Sequence, residues 1–231
     1  MAQITTCIFD AYGTLFDVNA AARTMANEPG RDTFAKVWPQ VSANWRAKQL
    51  QYTWLRAITG DHCDFWQVTQ DALDWALDAA GQAHDGPLRA ALLDLYWRLD
   101  AYPEAPKTLT TLKTHGIITG ILSNGSPDML SAAVDSAGIA ADLDAVLSVE
   151  DVGIFKPASA VYDMVGARFG VDPKTVLFVS ANGWDAAAAA AYGFQTLWVN
   201  RADDPIDRLP GQPDSVAHDL TGVVRLAGVS P

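Results

Sequence analysis

Five short, unbroken apolar runs, at residues 4–9, 117–122, 146–149, 176–179 and 196–199, are each bounded by turn-forming residues. Runs of this kind mark strands buried on both faces, as in a parallel sheet; a strand with one wet face would alternate instead. Between the later runs the apolar spacing changes to three and four, over 106–115, 127–137, 157–169 and 184–192, which predicts helices. Three of these stretches open with Pro (Pro106, Pro127 and Pro157), a residue suited to the first helical position because its missing N–H has no partner there. Strand and helix therefore alternate. The pattern predicts an α/β protein with a Rossmann-like parallel sheet flanked by helices, right-handed crossovers, and a ligand crevice at the carboxyl ends of the strands.

Residues 18–99 break the alternation. Phe34, Val37, Trp38, Val41 and Trp45 share one helical face; Phe65, Val68, Ala72, Trp75, Ala76 and Ala79 share a second, and Leu88, Leu92, Leu95 and Leu99 a third. No strand pattern intervenes, so a helical bundle inserted after the first strand is expected, with 1–17 and 100–231 as the core and 18–99 as the insertion. Six of the eight tryptophans fall in the insertion, where a bundle core, a pocket or a dimer interface would each use large aromatic side chains. The alanine run at 186–191 reads as packing, since alanine has the highest helix propensity and lets a helix lie close to a sheet.

Composition narrows the partners. At 231 residues and 49% hydrophobic, the chain can bury a large core. Its 16 basic against 27 acidic side chains leave a net charge of −11, which disfavours nucleic acid or an anionic membrane as partner. The start lacks a basic segment ahead of an apolar stretch, and no run approaches the roughly 18 apolar residues of a membrane helix, so a cytoplasmic protein is expected. Cys7 and Cys63 are too few and too far apart for a disulfide framework, and the four histidines show no metal-ligand spacing.

Chemistry gathers where the strands end. The first run stops at a carboxylate and turns through a glycine, Ile8-Phe9-Asp10-Ala11-Tyr12-Gly13-Thr14-Leu15. Charges are seldom buried without a partner, which makes Asp10 a candidate nucleophile, although an Asp can also end a strand by bonding to turn amides. After the second run, Ser123-Asn124-Gly125-Ser126-Pro127 leads into a helix start that would favour an anion or serve as an ordinary cap. After the third, Phe155-Lys156-Pro157 places a lysine just ahead of an expected helix start, where the helix dipole disfavours a cation. That lysine needs another reason. The fourth run ends in Ser180-Ala181-Asn182-Gly183-Trp184-Asp185, with a second carboxylate and two polar groups.

On these four motifs the chain resembles the haloacid dehalogenase superfamily, and more narrowly the 2-haloacid dehalogenases. The resemblance extends through Trp45-Arg46-Ala47-Lys48-Gln49-Leu50 and Tyr162, and so into the insertion, which in that family is a cap over the active site. A magnesium-dependent phosphatase of the superfamily, the alternative reading, needs an aspartate two residues after the nucleophile and usually an acid opening the fourth motif. Tyr12 and Ser180 stand there. Asp10 and Asp185 alone make a poor octahedral magnesium cage, and a halide leaving group needs no proton.

The resemblance implies a hydrolysis of short (S)-2-haloalkanoic acids to (R)-2-hydroxy acids that uses no metal and no cofactor. Asp10 attacks the halogen-bearing carbon to form an ester, and water activated by Asp185 then hydrolyses it. It further implies that Thr14 bonds Asp10, and that Ser180 and Asn182 position the water or the ester. Lys156 keeps Asp10 ionised and, with Ser123, steadies the substrate carboxylate, while Arg46 and Asn124 receive the departing halide. Tyr162 bonds near Lys156 or packs. Ala11, Tyr12, Leu50, Phe65 and Trp184 contact substrate, the last four as an apolar lining. Ala47 replaces a frequent glutamine of the family, which bears on the side chain preferred at C2. The partners implied are the haloalkanoate, water, the halide and a second copy in a homodimer.

Overall fold

A computed structural model describes residues 2–229; Met1, Ser230 and Pro231, at the outer limits of the expected core, lie outside the described residues. The first strand, β1 (Thr6–Phe9), is followed by six helices before the next strand, of which the first five are α1 (Ala20–Ala26), α2 (Asp32–Ala35), α3 (Trp38–Thr59), α4 (Phe65–Ala79) and α5 (Gly86–Tyr96). Thereafter α6 (Ala105–Thr114), β2 (Ile118–Ser123), α7 (Pro127–Ala137), β3 (Ala145–Ser148), α8 (Ser159–Phe169), β4 (Val176–Ser180), α9 (Gly183–Tyr192) and β5 (Gln195–Val199) alternate. A short β6 (Ser215–Ala217) and α10 (Thr221–Leu226) follow.

The strands form one sheet in the order β3-β2-β1-β4-β5-β6, every pairing parallel. Phe9 at the end of β1 lies beside Ile121 of β2 and Val179 of β4, so the residues that follow all three strands emerge at one edge. The winding reverses between β1 and β4, and in an open parallel sheet such a reversal leaves a crevice at the carboxyl edge. All side chains of β1 and β4 are buried, which is why their sequences are unbroken apolar runs. Ala186, Ala187 and Ala189 are buried where α9 lies against β4 and β5.

Four details differ from expectation. The sixth strand was not expected: β6 is short and its Val216 is 48% exposed, so it leaves no apolar run in the sequence. Pro157 does not open a helix; α8 begins at Ser159 behind an extended Ala158. The stripe from Phe34 to Trp45 is divided between α2 and α3, although Phe34, Val41 and Trp45 are all buried. On α4 the buried stripe runs through Phe65, Val68, Thr69, Ala72, Leu73, Ala76 and Leu77. Trp75, at its border, is 42% exposed and lies under the Lys48 ammonium, 4.2 Å from the ring centroid. No helix among the described residues is long and apolar enough to cross a membrane.

Candidate active site

Asp10 is the first residue past β1, held at the sheet edge by its amide, which donates to Val179 O at 2.9 Å. The chain then folds back at once: the amides of Thr14, Leu15 and Phe16 all donate to the carbonyl of the buried Ala11. Gly13 takes a φ of +91°, a region open mainly to glycine. This turn returns Thr14 to Asp10. Its hydroxyl donates to Asp10 Oδ2 at 3.1 Å and accepts from Ala181 N at 2.8 Å. Asn182 Nδ2 donates to the same Asp10 oxygen at 2.9 Å.

Lys156 occupies the centre. Only 1% exposed, its ammonium donates to Asp10 Oδ1 at 3.2 Å and to Asp185 Oδ2 at 2.9 Å. The Phe178 ring of β4 lies 4.9 Å from the same nitrogen. The fully buried Asp185 accepts further bonds from Ser180 Oγ at 3.0 Å and from the Tyr162 hydroxyl at 2.8 Å. From α3, Arg46 Nη2 reaches Asn182 Oδ1 and the carbonyl of Tyr12, both at 3.1 Å. One connected network thus gathers Asp10, Thr14, Arg46, Lys156, Tyr162, Ser180, Asn182 and Asp185.

The electrostatics follow from burial and proximity. Burial pulls the Lys156 ammonium down, but Asp10 and Asp185 outweigh it and hold its pKa above the ordinary lysine value. Burial raises Asp185 above the usual carboxylate range; Lys156 pulls it back and Asp10 pushes it up again. The Tyr162 phenol is raised by burial first and then by the charge of Asp185, so it stays a neutral donor. Burial, then Tyr96 and Asp10, likewise lift Tyr12, against the opposing pull of Arg46. Two carboxylates therefore share one buried ammonium, with a guanidinium at the rim. Among the described residues no group of three His, Cys, Asp or Glu side chains gathers to hold a metal ion.

Ser123 and Asn124 lie on the neighbouring strand end and serve the backbone. Ser123 Oγ accepts from Gly125 N at 3.1 Å, and Asn124 Oδ1 accepts from Lys156 N at 3.0 Å. Arg46 is bonded to Asn182 rather than to Asn124, whose oxygen is occupied in fixing the lysine. Tyr162 bonds Asp185 and reaches Lys156 only through it. The apolar candidates fall into two groups. Tyr12 stacks on Tyr96 and approaches Phe65, both at 5.7 Å between centroids. The half-buried Trp184 meets Trp54 edge-on at 5.4 Å, and Leu50 stands one turn from both Arg46 and Trp54 on α3. Ala47 is exposed.

Two features had no distinct signal in the sequence. Phe178 is one residue of a continuous apolar run, and the Tyr12 carbonyl is a backbone acceptor. A third contact pairs two segments distant in sequence: His62 Nε2 lies 2.9 Å from Glu150 Oε2, with the His62 ring 4.7 Å from Phe155.

A family model described as haloacid dehalogenase-like hydrolase matches residues 4–193. The chain is 42% identical over 205 residues to (S)-2-haloacid dehalogenase 1 of Pseudomonas sp. (strain CBS-3), covering 89% of this chain and 88% of that one. It is 40% identical over 227 residues to the (S)-2-haloacid dehalogenase of Pseudomonas sp. (strain YL), covering 98% and 95%. Among solved structures, the L-2-haloacid dehalogenase of Xanthobacter autotrophicus with chloropropionic acid covalently bound superposes with a TM-score of 0.84. That pair is 36% identical, with 97% of this chain and 98% of that one covered.

Proposed function

The chain belongs to the haloacid dehalogenase-like hydrolases, and on that premise we propose that it hydrolyses short (S)-2-haloalkanoic acids to (R)-2-hydroxy acids through an ester on Asp10, without a metal. The observation that carries this reading is the Lys156 ammonium seated between Asp10 and Asp185. A divalent cation held by these two carboxylates would have to displace a buried, charged lysine whose own charge repels it.

In the first half-reaction an oxygen of Asp10 displaces the halide from C2 from behind, so the C–O bond forms as the C–halogen bond breaks and the centre inverts. Thr14 and Asn182 fix that carboxylate. Arg46 offers a guanidinium to the departing halide, and Ser123, with the amides beyond it, steadies the substrate carboxylate. In the second half, Asp185 takes a proton from water as the water attacks the ester carbonyl of Asp10. Cleavage of the acyl–oxygen bond, with the proton on Asp185 passed to the departing alkoxide, frees the hydroxy acid; the proton left on the new acyl oxygen goes to solvent and restores the Asp10 carboxylate. Tyr162 and Ser180 hold Asp185 by bonds to its two oxygens. Tyr12, Phe65, Leu50 and Trp184 exclude water from a weak nucleophile.

The phosphatase alternative is set aside, because no acid stands two residues beyond Asp10, where Tyr12 is buried among aromatic rings. The helices between β1 and α6 act as the cap, delivering Arg46 and Phe65 to the core. A cytoplasmic homodimer completes the proposal; Leu55 at 50% and Trp75 at 42% exposure are apolar side chains on α3 and α4 that a second copy would cover. The test is chloride release from each enantiomer of 2-chloropropionate in excess EDTA. Turnover of the (S) form alone, unaffected by chelator, is expected; loss of activity with EDTA or equal turnover of both forms refutes the proposal.

A further inference from the structure

Beside the catalytic crevice lies a groove of about 660 Å³ whose walls carry no charged side chain. Three separate segments lead from the crevice into it. On α3, Arg46 and Leu50 are followed on the same side by Trp54 and Ala57, all four within about 80° of arc at 3.6 residues per turn. At α9, Asp185 points inward to Lys156 while its neighbour Trp184, then Ala187 and Ala191, line the groove. Lys156 itself is followed directly by Pro157 and Ala158 in the groove wall. The opposite lip, Leu209 to Gly211, lies hard against α9: a Cβ on Gly211 would meet Ala187 O at 2.0 Å, so only glycine allows this approach.

We propose that this groove receives the alkyl chain of 2-haloalkanoic acids with long substituents at C2, so that the substrate class extends beyond short acids to medium-chain ones. The inference rests on the dehalogenase reading and adds to it. The carboxylate head of such a substrate requires cations and amides, which only the crevice offers; the tail requires none, and the groove offers none. From Trp54 to Ile58 along α3 the wall runs about 6 Å, long enough for several methylenes. The small side chains at 57, 158, 187, 188 and 191 leave the volume open.

The experiment compares halide release from 2-chloropropionate, 2-bromohexanoate and 2-bromooctanoate by the full chain and by two variants, Ala57→Trp, which fills the groove, and Ile58→Asp. Ile58 is 81% exposed, so the second variant puts a charge at the mouth without burdening the fold. For the unaltered protein, KM is expected to fall by up to about fourfold for each methylene the groove buries. Both variants should lose that gain, about tenfold or more on 2-bromooctanoate, with 2-chloropropionate unchanged. Activity on 2-chloropropionate together with a kcat/KM that declines from 2-bromohexanoate to 2-bromooctanoate overturns the inference and leaves the dehalogenase reading standing. Silence on all three substrates overturns both. A variant that lowers the molecular mass in solution yet keeps the chain-length profile would assign the groove to a second copy of the chain and overturn the inference.

Discussion

Lys156→Met removes the buried ammonium while keeping much of its volume. The two carboxylate oxygens it bridges can be no farther apart than its two contacts laid end to end, about 6 Å. At an effective dielectric near 20, two unit charges at that distance repel by about 3 kcal/mol, equivalent to about 2 pH units. One carboxylate of the variant therefore keeps its proton about 2 pH units higher than in the unaltered protein, and either the nucleophile or the base is lost while it does. On the acidic side of the shifted limb kcat for (S)-2-chloropropionate should fall by up to about 100-fold. The acidic limb of the pH–rate profile should move up by about 2 units as the proton is shed. Breaking a buried pair costs about 3–5 kcal/mol, partly offset here by that proton, so a thermal melt by circular dichroism must accompany the kinetics. Lys156→Arg separates charge from shape: it should return the limb toward its original position while kcat stays low, because a planar fork does not replace a compact ammonium. A folded Lys156→Met protein with undiminished kcat and an unmoved acidic limb would falsify the reasoning.

Asp185→Asn should alkylate Asp10 normally but hydrolyse the ester slowly, giving one stoichiometric burst of halide and an adduct on the intact protein by mass spectrometry; steady release at the original rate would remove Asp185 as the base. At high pH the fold should become labile. Tyr12, Tyr96, Tyr162 and Lys156 are all raised above their unfolded values by burial or by neighbouring charge. Their contribution is therefore complete below about pH 10 and is lost as pH rises further, approaching about 5 kcal/mol per pH unit while the folded chain keeps four protons that the unfolded one sheds. Urea midpoints that stay flat from about pH 9 to 11 would contradict this. His62→Ala removes the contact to Glu150 that joins the segment before α4 to the one carrying Lys156. KM should rise about tenfold, the worth of one charge-assisted bond, with kcat less affected; a change in kcat alone would show that the pair does not hold these two segments together for substrate binding.

The sheet was legible because burial on both faces writes itself as unbroken apolar runs, and β6 was not because a short edge strand needs none. The candidate site residues were legible for a related reason. Asp10 and Lys156 are charges buried just past strand ends, where burial disfavours them, and such conflicts point to function; Asp185 sits in the first turn of α9, where a carboxylate is favoured, and was legible only from its place after β4. What the sequence could not carry was direction. Nothing in Phe155-Lys156-Pro157 distinguishes a lysine aimed at one carboxylate from one shared by two, and nothing in Ser123-Asn124 says that the amide holds the lysine backbone instead of a halide. Those facts depend on contacts between residues far apart in the chain, as does the His62–Glu150 pair.

The two half-reactions place different demands on this one ammonium, and the geometry reconciles them. In the proposed mechanism Asp10, Asp185 and the substrate carboxylate face Lys156 and Arg46 before alkylation, so one negative charge is uncompensated. Alkylation turns Asp10 into a neutral ester and expels the halide, and the remaining charges balance. Asp10 is also one of the causes that raise Asp185; once esterified it exerts that push no longer, and Asp185 is left ionised against Lys156 at the step that needs a base. Burial, which leads the causes of its raised pKa, persists through both steps and keeps it a stronger base than a solvated carboxylate. A divalent cation between the same oxygens would bind the Asp10 anion more tightly before attack and dull the nucleophile, whereas a single ammonium compensates enough charge to assemble the site and leaves enough to drive it.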